Sequence, residues 1–150
     1  MRTFPIPIEV TAAADRLPAL QYPTLGAPAL TLYAAYDISL LPFEPLRVTT
    51  GIALAIPDDI GALVLPEPSM AELGVVPLAD MFGADDRKPL SVLLMLHRRA
   101  DGRGPVVTIN RGDPIARVAM MPIVRIRTMQ VKQLLSGPGA PPPSARDAAD

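Results

Sequence analysis

Proline and glycine interrupt this sequence so often that long helices are disfavoured. The 150 residues include 19 prolines and 10 glycines, against three phenylalanines and three tyrosines. Proline lacks a backbone N–H and breaks helix interiors, so this composition favours many short strands joined by turns. A chain of this length suits one domain with a single core. The sequence therefore predicts one all-β domain.

Charge and hydropathy limit the classes of function and partner. The formal net charge is −1, so no overall positive field exists to hold a nucleic-acid backbone. The hydrophobic fraction is 49% and the mean hydropathy +0.29, yet no apolar run approaches the roughly 20 residues that cross a membrane. We therefore expect neither a nucleic-acid nor a membrane partner, and the apolar surplus indicates a subunit interface. The N-terminus lacks a continuous apolar segment, which favours a cytoplasmic location.

Alternating apolar residues predict the strands. Apolar side chains at positions 46, 48, 52, 54 and 56 recur with period two and predict one half-buried strand. Its other face carries Arg47, Thr49, Ala53 and Ala55. This strand should form a hairpin with residues 61–65 across a Pro-Asp-Asp turn. Residues 91–97 are apolar on both faces, which predicts a buried strand, and residues 106–109 should be its hairpin partner.

The two ends of the chain give weaker patterns. Residues 6–10 predict an edge strand. Residues 117–121 and 124–134 predict the last regular segments. In the second of these, Arg125 and Arg127 lie on the solvent face opposite Val124 and Ile126. Residues 136–150 lack large apolar side chains and cannot offset the entropy of ordering. We expect a domain over residues 1–135 and a mobile Pro- and Ala-rich arm over 136–150.

Two runs then resemble framework segments of the trimeric dUTPase family. They are TGIALAIP (residues 50–57) and GDPIAR (residues 112–117), the second similar to the family's fourth motif, Gly-Asp-Arg-Ile-Ala-Gln. The resemblance extends over residues 26–122. It implies a jelly-roll β-barrel that assembles as a homotrimer, and it implies hydrolysis of dUTP to dUMP and pyrophosphate with Mg²⁺.

Positions that contact the nucleotide in this family carry other side chains here. In the first motif Thr31 takes the place of an aspartate. In the second, Glu67 takes the place of an arginine and Pro68 follows it, so that negative charge faces a polyanion and a backbone donor is missing. In the fourth, Pro114 replaces an arginine and Arg117 a phosphate-contacting glutamine.

The third and fifth motifs are also altered. Residues 78–89 are shorter than the family's third motif, so Asp85 matches its water-activating aspartate in one alignment and Gly83 in another, and no tyrosine follows in either. The alternative interpretation is a solvated turn over residues 85–88. The fifth motif is an arm whose phenylalanine covers the uracil, but every aromatic residue of this chain precedes residue 83.

Phosphoanhydride hydrolysis needs its positioning and charge-neutralising groups together. The departures therefore lead us to expect a non-catalytic trimer without metal or cofactor, with a structural or binding role such as a capsid decoration protein of a phage virion. The alternative is a divergent dUTP pyrophosphatase using Mg²⁺, with Asp85 as base and Ser69 and Arg117 contacting the substrate. A third hypothesis is a nucleotide sensor. His97 is the only histidine, which excludes a multi-histidine metal site.

Overall fold

The protein consists almost entirely of short strands, as the sequence predicts. A computed structural model describes residues 5–78, 80–98 and 104–130. The strands and the one α-helix of this described part are β1 (Ile8–Val10), β2 (Leu30–Tyr33), β3 (Ile38–Leu40), β4 (Leu46–Thr49), β5 (Ile52–Leu54), β6 (Ile60–Pro66), α1 (Pro68–Glu72), β7 (Val75–Pro77), β8 (Met81–Phe82), β9 (Ser91–Leu96), β10 (Val107–Ile109) and β11 (Pro114–Pro122).

The strands form antiparallel sheets that close into a jelly-roll barrel. The largest sheet has the order β2-β11-β6-β8, and a second has the order β4-β9-β7. β1 pairs with β5, and β3 pairs with β10. β11 is the longest strand and lies between β2 and β6. It therefore holds β2 and β6 in one sheet, although these two strands are far apart in the sequence.

The core is aliphatic and continuous. On β9, every second side chain is removed from solvent, and the neighbouring sheets contribute further leucines and isoleucines. Full burial of one such side chain stabilises the fold by about 1.5–3 kcal/mol. The largest fully buried apolar residues are Leu32, Leu40, Ile56, Leu90, Leu94, Leu96, Ile109 and Ile115.

The single strand expected over residues 46–56 is two strands with a bend between them. Gly51 adopts φ +69°, a left-handed conformation that ends β4 and begins β5. The Thr50 hydroxyl donates to the Leu90 carbonyl at 3.0 Å and fixes the bend. The expectation that Ala53 lies on a solvent-exposed face is wrong, because it is only 6% exposed. All three residues of β5 are buried, and β1 pairs with one edge of the strand.

Both predicted hairpins are wrong in their pairing. β6 pairs with β11 and β8 instead of β5, and β9 pairs with β4 and β7 instead of β10. Local alternation identifies a strand but contains no information about which distant strand lies beside it. The buried strand at β9 and the edge strand at β1 are confirmed as elements.

The segment after β11 differs from its prediction. β11 covers residues 114–122, but residues 123–130 form no strand. Val124 and Ile126 are 89% and 83% exposed in the chain, so they do not form a buried face opposite Arg125 and Arg127. The remainder of that segment and the predicted arm lie outside the described residues. No helix in the described part is long and apolar enough to cross a membrane.

Candidate active site

A pair of opposite charges joins β11 to the start of α1. Arg117 lies on β11 in register with Thr31 on β2 and Leu65 on β6. Its Nε donates to Oε2 of Glu67 at 2.9 Å, and its Nη2 donates to Oε1 at 3.5 Å. Directly opposed residues of neighbouring strands share a face. The altered positions of the first, second and fourth motifs, namely Thr31, Glu67 and Arg117, therefore meet in one place.

The two charges of this pair differ in their access to solvent. The side chain of Glu67 is 10% exposed, whereas that of Arg117 is 35% exposed. A buried carboxylate needs a partner, because removal of an ion from water costs several kcal/mol. Arg117 provides that partner and keeps part of its guanidinium at the surface. The two bonds to Glu67 use two of the five guanidinium N–H donors, which leaves donors for a ligand.

The second motif forms the start of a one-turn helix. Glu67 precedes α1, and its backbone carbonyl accepts from the Ala71 N–H at 2.9 Å. Its side chain makes no cap hydrogen bond and points to Arg117 instead. Pro68 is the first helical residue, where a missing N–H is tolerated. Ser69 follows on the same turn with an exposed side chain.

The fourth motif is a tight turn that sets the register of β11. Gly112 has φ +91° and donates its N–H to the Ala34 carbonyl at 2.8 Å. The Ala34 N–H donates to the Asp113 carbonyl, and Oδ2 of Asp113 accepts from the backbone N–H of Asn110 at 2.8 Å. Pro114 is the first strand residue, a position that proline tolerates. This turn fixes the start of β11 and thereby the position of Arg117.

The third motif contains an exposed turn beside a groove of about 360 Å³. The Asp86 N–H donates to the Gly83 carbonyl at 3.1 Å, and Oδ2 of Asp86 accepts from the Gly83 N–H at 2.7 Å. Asp86 therefore closes the turn, while the adjacent Asp85 side chain is exposed. The lining residues are Arg47, Phe82, Asp85, Asp86, Arg87, Lys88, Pro89 and Ser91. The turn is exposed to solvent, as the alternative interpretation of residues 85–88 predicts. The role of Asp85 as a base stays a prediction.

Asp85 and Arg117 lie toward opposite ends of β6. Arg117 is in register with Leu65, near the end of that strand, whereas Phe82 on β8 is in register with Ala62. Three residues of strand, about 10 Å, separate these positions. β8 runs antiparallel to β6, so the chain moves further from Leu65 before it reaches Asp85. The structure therefore does not bring Asp85 together with Ser69 and Arg117 within one chain.

The last two candidates are a metal site and the single histidine. The described residues contain no group of three or more His, Asp or Glu side chains that could hold a metal ion. His97 packs against Phe43 with ring centroids 5.3 Å apart and an interplanar angle of 75°. This edge-on contact is a packing arrangement.

Sequence reasoning did not detect the contact between Glu67 and Arg117. The two residues are 50 positions apart, and only the register of β6 against β11 brings them together. One signal was present, since a cation is lost from the second motif and another appears in the fourth. The structure shows that these two changes compensate each other electrostatically.

Solved structures with the same fold include two phage dUTPases. A mutant of the dUTPase from phage phi11 of S. aureus superposes with a TM-score of 0.76 at 14% identity, covering 87% of this chain and 98% of that one. The Staphylococcus bacteriophage 80alpha dUTPase gives a TM-score of 0.77 at 14% identity, covering 88% and 99%. At this identity the likeness shows the fold, which confirms the predicted barrel. Homotrimeric assembly is typical of the family.

Sequence comparison gives closer relatives. A family model described as dUTPase matches residues 15–137. The deoxyuridine 5'-triphosphate nucleotidohydrolase of Anaeromyxobacter sp. is 34% identical over 138 residues, covering 88% of this chain and 90% of the relative. That of Gloeobacter violaceus is 32% identical over 136 residues, covering 87% and 88%. Relatives this similar are named as enzymes, so the expectation of a non-catalytic trimer, with its capsid decoration role, is wrong. The chain belongs to the dUTPase family.

Proposed function

We propose that this protein hydrolyses dUTP to dUMP and pyrophosphate. The observation that carries the proposal is the 34% identity to a deoxyuridine 5'-triphosphate nucleotidohydrolase over 88% of this chain. In the reaction a water oxygen attacks phosphorus, the bond between the α-phosphate and the bridging oxygen breaks, and pyrophosphate leaves. The alternative enzyme hypothesis from the sequence is thus the better one.

Three side chains have proposed roles in this reaction. Arg117 offers a partly exposed cation with unused donors, and arginine binds phosphate oxygens with planar, charge-assisted hydrogen bonds. Ser69 offers an exposed hydroxyl on the helix that follows Glu67. Asp85 offers an exposed carboxylate that can accept a proton from the attacking water. The phosphate contacts thus lie at one end of β6 and the base toward the other.

This separation supports a homotrimeric enzyme. Within one chain Asp85 and Arg117 lie toward opposite ends of β6 and do not face each other across one site. A rotationally symmetric trimer can place the third-motif end of one protomer against the Arg117 end of its neighbour. Each nucleotide would then be bound between two protomers.

Mg²⁺ fits this proposal as an ion that enters with the substrate. Magnesium is commonly held by one or two carboxylates together with substrate phosphates and water. The described residues supply no dedicated cluster of acidic ligands, while the groove beside Asp85 keeps one carboxylate open. When bound, the ion would offset negative charge on the triphosphate. The chain's own contribution is to position the phosphates and the water.

The test is release of pyrophosphate from dUTP with Mg²⁺, measured for the wild-type protein and for D85A. We expect turnover by the wild type and a loss of at least about 100-fold in kcat for D85A, the usual contribution of a general base. D58A is the matched control, because Asp58 is an exposed turn residue outside the groove. No pyrophosphate release at high protein concentration would overturn the proposal. Equal activity of D85A and D58A would remove Asp85 from it.

A further inference from the structure

The ion pair between Glu67 and Arg117 occupies the place where the proposed enzyme must bind a phosphate. Arg117 points the edge formed by Nε and Nη2 at the two carboxylate oxygens of Glu67. That planar edge is the one with which arginine binds either a carboxylate or a phosphate through two parallel hydrogen bonds. A carboxylate and a phosphate therefore compete for the same donors.

We propose that Glu67 is an internal competitor of the substrate, holding Arg117 in the free enzyme and being displaced by a phosphate group when the nucleotide binds. This inference rests on the proposed function, since it takes Arg117 as a contact of the substrate phosphate. Glu67 thereby acts as a residue that sets affinity and specificity. Because Glu67 competes for Arg117, a polyanion binds more weakly than it would bind to Arg117 without Glu67.

The geometry favours displacement over simultaneous binding. The Nη2–Oε1 distance of 3.5 Å lies at the limit of a hydrogen bond, so the carboxylate is held firmly only through Nε. A phosphate bound to the remaining donors would place its negative charge close to the Glu67 carboxylate, which is nearly excluded from water. Like charges in such a site repel strongly, because little solvent screens them. The carboxylate must move for the phosphate to bind.

Nothing in the described part of the chain ties the Glu67 side chain to another partner. Its backbone is extended, with φ −83° and ψ 124°, and its side chain makes no cap bond to α1. Both of its hydrogen bonds are made to Arg117. Rotation of the side chain therefore breaks no other hydrogen bond or ion pair.

The substitution E67Q tests this inference. Glutamine keeps the shape and one acceptor oxygen but removes the charge that competes with the ligand. We expect Kd for pyrophosphate with Mg²⁺ to fall about tenfold by isothermal titration calorimetry, and KM for dUTP to fall with little change in kcat. E72Q is the matched control, because Glu72 lies on the same helix with an exposed side chain and makes no bond to Arg117. It should leave Kd within about twofold of the wild type.

A weaker or unchanged affinity of folded E67Q for pyrophosphate would overturn the inference. Weaker binding would mean that Glu67 positions Arg117 for the ligand. The double variant E67Q/R117Q should lose the gain, and retention of the gain would likewise overturn the inference. If circular dichroism shows E67Q to be unfolded, E67D serves instead, because it retracts the carboxylate by one methylene and should also bind more tightly than the wild type. Failure of the proposed function is distinct, since it appears as no hydrolysis of dUTP by any variant, whereas pyrophosphate binding needs no turnover.

Discussion

The bend at Thr50–Gly51 and the ion pair of Glu67 with Arg117 show two different kinds of position in one barrel. At the bend, the backbone conformation and the lack of space dictate the residue. At the ion pair, the strands fix where the side chains point but not their charges. Family members can therefore keep the first region unchanged while the second exchanges its charges. Framework similarity indicates the fold, whereas the pair bears on the proposed contact with the substrate phosphate.

The largest effect should come from G51A, which tests the rigid region. A Cβ at Gly51 would lie 2.8 Å from Cβ and 2.9 Å from N of Ala14, in a backbone with positive φ. Overlap and left-handed strain together should lower the free energy of unfolding by about 2–4 kcal/mol, measured by urea denaturation. G26A is the control, since nothing lies within 4 Å of its added Cβ. Equal stability of G51A and G26A would contradict this account of the bend.

An intermediate effect is expected from R117Q, which restores the family's glutamine but leaves Glu67 unpaired. We expect a loss of about 1–3 kcal/mol, below the full cost of an unpaired buried charge because the Arg117 side chain is partly exposed. The double variant E67Q/R117Q should recover most of that stability, since it removes the orphan charge. R125Q is the matched control, because Arg125 is exposed and donates only to the Asp58 carbonyl at 3.4 Å. Additive losses in the double variant would show that the two residues are not coupled.

The smallest effect should come from T50V, which leaves the shape of the bend but removes its hydroxyl. Thr50 is 1% exposed and donates to the Leu90 carbonyl. The Leu90 carbonyl keeps the backbone N–H of residue 50 as a donor at 2.9 Å, but the Ile52 N–H loses the hydroxyl oxygen that accepts from it at 3.3 Å. Loss of the two hydroxyl bonds should cost about 1–2 kcal/mol in thermal or urea unfolding. T108V, on an exposed face of β10, should be nearly neutral. A neutral T50V would mean that Gly51 alone maintains the bend.

The sequence predicted the elements better than their arrangement. The strand at residues 91–96 follows from its apolar side chains, and the barrel follows from the family resemblance. The strand expected over residues 46–56 was wrong because the apolar alternation resumes after Thr50 and Gly51 with the same period, so the bend does not shift the pattern. Both hairpins were wrong because pairing in this barrel is non-local. β10 finds its partner in β3, more than 60 residues earlier, and no local pattern contains that information.

The site was predicted only in part for a related reason. Glu67 and Arg117 were each recognised as a departure from a motif, and each was interpreted alone. Their contact depends on the pairing of Arg117 with Leu65, which only the folded barrel specifies. Interpreted alone, each change suggested loss of function. As a pair, the two changes keep a cation at the altered motif positions, and that cation is the partner of the glutamate.

The location of Asp85 and Arg117 toward opposite ends of β6 has a genetic consequence. In the proposed homotrimer, each nucleotide would lie between Asp85 of one protomer and Arg117 of its neighbour. A harmful substitution of Asp85 or of Arg117 would therefore disable a site that a second protomer completes. A mixed trimer of an Asp85 variant and an Arg117 variant would then retain one site with both residues intact, so two inactive variants would complement each other.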